Sequence, residues 1–217
     1  MSYVAGLQKK FPSLMKLIIT GCCQLKKGKL TLNGQHLLES VVSIDDLLQQ
    51  IVARYEVKHP RFGKIDRLSK LGYTCTEILL QSLENFKDYQ PYEVSLIFAN
   101  ASSSLDTDYR FQKSIASIAS PALFVYTLPN IVLAEICIKN GFKGDNLFLI
   151  SDVPDASLYY NNITQLFAQQ KTKACLAGWV EVLGESYSCT VFSVEELGSK
   201  GDIQNEFNIS NIHKLFQ

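Results

Sequence analysis

Five apolar runs alternate with segments of helical periodicity along this chain, and this alternation limits its possible folds more than any other feature. Each run is short and rich in β-branched or other apolar residues, which is typical of a buried strand. The predicted strands are residues 15–22, 93–100, 146–151, 173–182 and 186–197. Because helical segments separate the first four, we expect an α/β fold with a mainly parallel five-stranded sheet and helices on both faces. The fifth strand follows a tight turn at Gly184 and is predicted to be the one antiparallel strand.

The connecting segments predict helices, one of them capped by Ser43, and a short hairpin around Asn33 and Gly34. The predicted helices are residues 43–55, 65–86, 121–140 and 154–170, with a shorter one after the polar loop that begins at residue 102. A chain of 217 residues is most simply one domain, residues 1–217. We expect its tail, residues 202–217, to be held loosely.

The charge balance and the cysteines limit the partners and the compartment. The chain has 21 basic and 21 acidic residues, so no net charge draws it to nucleic acid or to an anionic membrane. Its six cysteines are thinly spread without CxxC spacing, which favours reduced thiols in a cytoplasmic protein. The string ITGC at residues 19–22 resembles a lipoprotein cleavage box, but the apolar stretch before it is too short for a signal peptide. No run approaches the length of a membrane span.

Motifs for nucleotide or zinc binding are missing from the sequence. There is no GxGxxG, no GxxxxGKS or GxxxxGKT, and no HExxH, so neither a cofactor nor a metal is expected. His36, His59 and His213 lie in polar surroundings and far apart in the sequence. Each is therefore predicted to be a surface residue and not a catalytic base.

The candidate site is a strand–turn–helix elbow in residues 144–167. Elbows of this kind often present a nucleophile, since the N–H groups and the dipole at a helix start favour a thiolate or an anion. Here Val153 stands at the tip, between Ser151 and Asp152 on one side and Asp155 on the other. We expect Asp152 to cap the helix, which makes it a poor proton donor.

Several strings resemble the N-terminal half of β-ketoacyl synthases, the condensing enzymes of the thiolase superfamily. IITG (residues 18–21) is similar to their opening strand, and FGKIDRLSKLGYTCTEILLQSL (62–83) to their first long helix. SPALFVYTLPNIVLAEICIKNGFKGDN (120–146) is similar to their LPN-containing segment, and ACLAGW (174–179) to a later strand that ends in AGG. In the family a cysteine nucleophile lies between these last two strings. Counting forward from Gly144 or backward from Gly178 puts that cysteine at Val153.

The resemblance implies a thiolase-like half-fold without catalytic residues. The family draws its decarboxylation residues and a glycine-rich loop from its second half, which we expect this chain to lack. The implied function is a non-catalytic ketosynthase-like subunit or partner protein in the biosynthesis of a fatty acid, polyketide or aryl-polyene type of acyl chain. Two alternatives stay open. One is a module that binds an acyl carrier or an acyl chain, and the other is an acyl transferase or hydrolase that uses Ser151, Asp152 or Asp155 at an acyl-facing elbow.

The resemblance also implies a dimer, because in the family the strand before the elbow lies at a sheet edge and pairs with a second subunit. The string NLFLIS carries no charge, proline or glycine to guard such an edge. We therefore expect pairing with a second copy or with a ketosynthase-like protein, and an acyl carrier protein as a further partner. The predicted interface residues are Asn146, Leu147, Phe148, Leu149, Ile150 and Phe124. On the helix that follows, a polar stripe that includes Asn161 and Gln165 is predicted to face solvent or a polar interface.

Overall fold

The structure is a computed structural model that describes residues 16–116, 119–198 and 205–217. Its strands are β1 (Leu17–Lys26), β2 (Lys29–Leu32), β3 (Gln35–Glu39), β4 (Val94–Asn100), β5 (Asn146–Ile150), β6 (Ala174–Leu183), β7 (Ser186–Glu196) and β8 (Asn205–Glu206). Its helices are α1 (Ile44–Arg54), α2 (Arg67–Ser82), α3 (Leu105–Ile115), α4 (Pro121–Val125), α5 (Ile131–Asn140), α6 (Ala156–Ala168) and α7 (Ile209–Phe216). Residue 15, where the first predicted strand began, lies outside the described residues.

The strands form one mixed sheet in the order β3-β2-β1-β7-β6-β4-β5, with β8 beside the start of β1. Strand β4 pairs in parallel with both β5 and β6, whereas β7 runs antiparallel between β6 and β1. Four of the five predicted strands therefore point one way, and the last points the other way. The α/β class with helices on both faces is confirmed.

The predicted number of five strands is wrong, since the described residues form eight. The predicted hairpin around Asn33 and Gly34 is confirmed as β2–β3. It extends the sheet beyond β1, because β1 continues four residues past Cys22 and offers that length for pairing. The two-residue strand β8 comes from the tail and pairs with Ile18 and Ile19. All three additional strands are antiparallel to their neighbours, so the sheet is mixed and not mainly parallel.

Two hydrophobic layers cover the sheet, one on each face. Successive side chains of a strand point to opposite faces, so each buried strand contributes to both layers. In β4, for example, Leu96 and Phe98 lie in the layer covered by α1, α2 and α5, whereas Ile97 lies in the layer covered by α6 and α7. Strands buried on both faces explain the continuous apolar runs of the sequence.

Glycines permit close approaches on both sides of the candidate site. At Gly144, just before β5, an added Cβ would collide with the backbone carbonyl of Val94. At Gly178 in β6 it would lie 2.5 Å from the carbonyl oxygen of Thr190. Neither position leaves room for a side chain, so these two glycines fix the spacing of strands around the elbow.

Two predicted helices have different bounds in the structure. The long helix at residues 121–140 is divided into α4 and α5, because Pro129 has no N–H to donate to a preceding turn. The predicted helix at residues 65–86 is shortened to α2, which Asp66 caps by accepting a hydrogen bond from the N–H of Ser69. The predicted cap Ser43 is confirmed, since its hydroxyl accepts from the N–H of Asp46.

Residues 205–217 of the tail, which we expected to be held loosely, pack on the sheet, and residues 202–204 lie outside the described residues. Phe207 and Ile212 are buried in the second hydrophobic layer. The ring of Phe216 stacks on that of Tyr159 with centroids 5.4 Å apart. An amphipathic helix with one apolar face is held by tertiary packing, which a sequence window at a chain end does not reveal.

Candidate functional site

The elbow is held by hydrogen bonds between its own residues and the neighbouring strand. The N–H of Ser151 donates to the carbonyl of Asn100 at 3.0 Å, which continues the β4–β5 pairing by one step. The hydroxyl of Ser151 donates to the carbonyl of Val153 at 2.9 Å. This hydrogen bond closes the turn, so the hydroxyl proton of Ser151 is already used within the elbow. Ser151 is thus a structural part of the elbow in this state.

Asp155, and not Asp152, caps the helix that follows the elbow. Its carboxylate accepts a hydrogen bond from the N–H of Ser157 at 2.8 Å, and α6 begins at the next residue, Ala156. The expectation for Asp152 is therefore wrong, because the turn continues three residues further before helical geometry begins. Asp152 is exposed beside the tip.

Val153 stands at the exposed tip of the elbow, with 64% of its surface accessible. Its isopropyl group cannot attack a carbonyl, and it cannot exchange a proton. The tip of the elbow therefore presents apolar surface to solvent.

The described cysteines do not replace a nucleophile at the tip. All six are free, and five of them are buried. Burial raises the pKa of the Cys22 thiol to about 12 and also raises the pKa of Cys175, so both thiols stay protonated and unreactive. None of the six lines the cavity beside the elbow.

An open cavity of about 610 Å³ lies between the elbow and helix α7. Its lining residues are Val153, Pro154, Asp155, Ala156, Ser157, Ile209, Ser210 and His213. Sequence reasoning missed the contribution of α7, because nearly sixty residues separate Val153 from His213 and no motif connects them. His213 is exposed, as predicted, but it faces the candidate site.

The groups that line this cavity do not form an assembled nucleophile–base pair. Within the part of the chain that the structure describes, no hydrogen bond joins the imidazole of His213 to the hydroxyl of Ser157 or of Ser210. Activation of a serine requires such a bond to a base, or a movement that creates one. The cavity thus offers an apolar wall with hydroxyl and imidazole groups beside it.

The loop after β4 lies beside the elbow and uses its backbone donors internally. The carboxylate of Glu181 accepts hydrogen bonds from the N–H groups of Ala101 at 2.7 Å and Ser102 at 3.2 Å. Paired N–H groups of this kind are what an oxyanion hole would need. Here a carboxylate of the protein already occupies them.

The prediction that His59 is a surface residue is wrong, since only 3% of its side chain is exposed. Its Nδ1 accepts from the N–H of Arg61 at 3.1 Å, so Nε2 carries the proton and donates to Glu135 at 3.0 Å. The hydroxyl of Tyr126 donates to the other oxygen of Glu135 at 2.8 Å. Burial and the neighbouring carboxylate raise the pKa of Tyr126, which keeps that donor protonated. This network joins the α1–α2 connection to α5, away from the elbow cavity, and has a structural role.

Strand β5 lies at one edge of the sheet, as the resemblance implied. The N–H of Leu96 donates to the carbonyl of Asp145, and the N–H of Ser151 donates to Asn100. Because these bonds alternate along a parallel pair, the odd-numbered residues of β5 bond to β4 and the backbone groups of Asn146, Phe148 and Ile150 point outward. Ile150 is 55% exposed and Leu147 is 37% exposed.

Exposed apolar side chains also lie on helix α4 and in the turn after it. Phe124 is 61% exposed, although its ring packs on that of Phe111 with the two ring centroids 5.4 Å apart. Val125 and Leu128 are exposed as well. The hydroxyl of Ser104 donates to the carbonyl of Thr127 at 2.8 Å, which fastens this segment to the start of α3. Exposed apolar groups clustered in this way are typical of protein contact surfaces.

Two classes of site receive no support among residues 16–116, 119–198 and 205–217. No group of three or more His, Cys, Asp or Glu side chains there is arranged to hold a metal ion. In the same residues, no helix combines the length and the apolar character needed to cross a membrane.

No protein-family model and no curated protein matches the chain. Among solved structures, the ishigamide ketosynthase/chain length factor matches with a TM-score of 0.61 and 15% identity, over 84% of this chain and 62% of that chain. A type II PKS acyl-carrier protein in complex with its ketosynthase, AntDE:AntF, matches with a TM-score of 0.61 and 14% identity, over 84% of this chain and 64% of that chain. The ketosynthase ApeO in complex with its chain length factor ApeC, from Xenorhabdus doucetiae, matches with a TM-score of 0.56 and 11% identity, over 83% of this chain and 79% of that chain.

These likenesses show the fold. The chain spans less than two thirds of the first two structures, and the identities are too low to carry an activity from those proteins to this one. The mixed sheet between two helical layers is the thiolase-like fold of ketosynthase and chain length factor proteins.

Proposed function

We propose that this chain is a non-catalytic ketosynthase-like subunit that assembles with a ketosynthase-type partner in the biosynthesis of a polyketide, aryl-polyene or fatty acid type of acyl chain. The observation that carries the proposal is Val153. It stands exposed at the tip of the elbow, where the resemblance puts the family's cysteine, and a valine cannot hold an acyl group as a thioester. The fold supports the same role, since proteins of this fold include chain length factors in complex with ketosynthases.

The partner in this proposal pairs with the exposed edge of β5 and covers Phe124 on α4. Outward backbone groups and apolar side chains at one edge favour addition of a strand from another chain. The carrier of the growing acyl chain, an acyl carrier protein, is a second proposed partner. The complex would work in the cytoplasm, which suits six free cysteines.

The proposal is tested by capture from the native cell. The tagged full chain is used as bait, and the proteins it retains are identified by mass spectrometry. We expect a ketosynthase or an acyl carrier protein among them, and we expect a Leu147→Glu bait to lose the ketosynthase. A Val41→Glu bait, altered at a 99% exposed apolar residue near the opposite edge, should retain it. Recovery of neither class by a folded wild-type bait would contradict the assembly role.

A second candidate function is acyl transfer or hydrolysis by a residue other than cysteine. The observation that favours it is the cavity that brings His213 and two serines, Ser157 and Ser210, to the elbow. Treatment of the purified protein with a fluorophosphonate and with cerulenin separates the two functions. Labelling of a residue in this cavity that His213→Gln abolishes would favour the enzymatic function and contradict the non-catalytic proposal. A binding module for acyl chains would use the same cavity without being labelled.

A further inference from the structure

The charges that flank strand β5 are acidic at both ends. Asp145 directly precedes the strand, and Asp152 follows it after Ser151. Both side chains are exposed. The nearest basic residue in sequence, Lys143, has its ammonium 5.8 Å from the centre of the Tyr92 ring, in a cation–π contact.

A second copy of this chain would meet like charges along this edge. Only residues whose backbone groups point outward can exchange hydrogen bonds, so the longest antiparallel self-pair is centred on Phe148, with Asn146 opposite Ile150 of the second copy. Asp145 then lies opposite the second copy's Ser151, next to its Asp152. Each end of the pair therefore brings two carboxylates together. Like charges at neighbouring cross-strand positions are unfavourable.

We infer that the β5 edge takes the edge strand of a different chain, one flanked by basic residues, in preference to a second copy of this chain. The inference rests on the proposed function and specifies its partner. The apolar middle of β5 can pair with the edge strand of any partner. The two acidic ends make that pairing more favourable when the partner strand carries basic residues. Lysine or arginine at both ends of the partner strand would pair with Asp145 and Asp152 and would suppress the self-pair.

The test uses the protein itself as the basic-flanked partner. The full chain with Asp145→Lys and Asp152→Lys carries basic residues at both ends of an otherwise unchanged β5. It is mixed with wild-type protein that carries a different tag, and association is measured by analytical ultracentrifugation and two-tag capture. Neither carboxylate has a hydrogen-bond partner among the described residues, so the fold should tolerate both changes, which circular dichroism checks. The matched control is Glu84→Lys with Asp88→Lys, the same charge change at exposed residues of a different turn.

We expect the mixed pair to associate at least about five-fold more tightly than wild-type protein associates with itself, because each end replaces a repulsion by an attraction. The preference should shrink at high salt, since these charges are exposed. The Glu84→Lys/Asp88→Lys control should show no preference. Equal association of the wild-type and mixed pairs would overturn this inference and leave the proposed function standing. Absence of any association in the mixture would overturn it too, and the capture experiment with wild-type bait would then decide the proposed function separately.

Discussion

The hydroxyl of Tyr159 donates a hydrogen bond to the backbone carbonyl of Gly178 across 2.8 Å in the buried layer between α6 and the sheet. Burial raises the pKa of this phenol, so it stays protonated and donates this bond at neutral pH. The bond fixes the helix behind the elbow to the strand that contains the AGW sequence. The elbow is thus supported from behind by a buried hydrogen bond between α6 and β6.

The first prediction concerns Val153→Cys. The variant should still fail to condense malonyl thioesters, because a lone thiol supplies only one step of the reaction and the described residues place no activated base beside it. Alkylation by iodoacetamide should rise at this position, since the side chain is largely exposed. Turnover above that of the wild-type chain, measured by release of carbon dioxide from malonyl thioester, would show that the remaining groups suffice.

The second prediction concerns the tail. Ile212→Ala removes a fully buried side chain from the layer between α7 and the sheet, and should lower the free energy of unfolding by about 2–4 kcal/mol. Ile209→Ala, in the same helix but 45% exposed, should change it by less than about 1 kcal/mol. Urea unfolding followed by circular dichroism measures both. Equal small effects would mean that α7 contributes little to the fold.

Much of the fold could be predicted because it is encoded locally. Each of the five predicted runs is a strand. The three that are buried on both faces, β1, β4 and β6, are largely apolar for that reason. The polar stripe of α6 is confirmed, because Asn161 and Gln165 are exposed while Ile163 and Phe167 are buried. Helical periodicity alone determines which of these residues can face the sheet.

The parts that could not be predicted depend on contacts between distant residues. Strand β8 exists only because two residues of the tail pair with Ile18 and Ile19. His59 looked polar and exposed in sequence, and its burial depends on Glu135, 76 residues away. His213 reaches the elbow cavity through packing of α7 on α6, for which no local pattern exists.

The third prediction is a pH dependence. Two hydrogen bonds from Arg67, at 2.6 and 3.1 Å, lower the pKa of Asp45 below its usual value of 3.8. A carboxyl with a lowered pKa in the folded state stabilises the fold above the unfolded pKa, and this contribution is lost as the pH falls through the folded pKa. Asp45→Asn should therefore be less stable than wild type at pH 7, by roughly the 0.2–1 kcal/mol of a partly exposed ion pair.

That difference in stability should shrink as the pH falls below 3.8, where the unfolded chain takes up the proton first, and should vanish once the pH is below the lowered pKa of folded Asp45. Urea unfolding at a series of pH values from about 2.5 to about 7 measures this difference in stability. Asp88→Asn, at an exposed residue, is the control. A difference that stays constant across this range would show that the two side chains do not interact as the structure implies.

The last prediction concerns the β5 edge. Leu147→Glu and Phe124→Glu each place a carboxylate in exposed apolar surface, so they should abolish association with the partner while leaving the fold intact, because a charge buried in an interface without a counter-charge is costly. Leu149→Lys is harsher, since Leu149 packs against the second hydrophobic layer, and it should also lower the free energy of unfolding. Light scattering on the mixture with the captured partner measures association, and circular dichroism checks folding. Val41→Glu, near the opposite edge, should behave as wild type. Unchanged association by folded Leu147→Glu and Phe124→Glu proteins would place the partner elsewhere on the molecule.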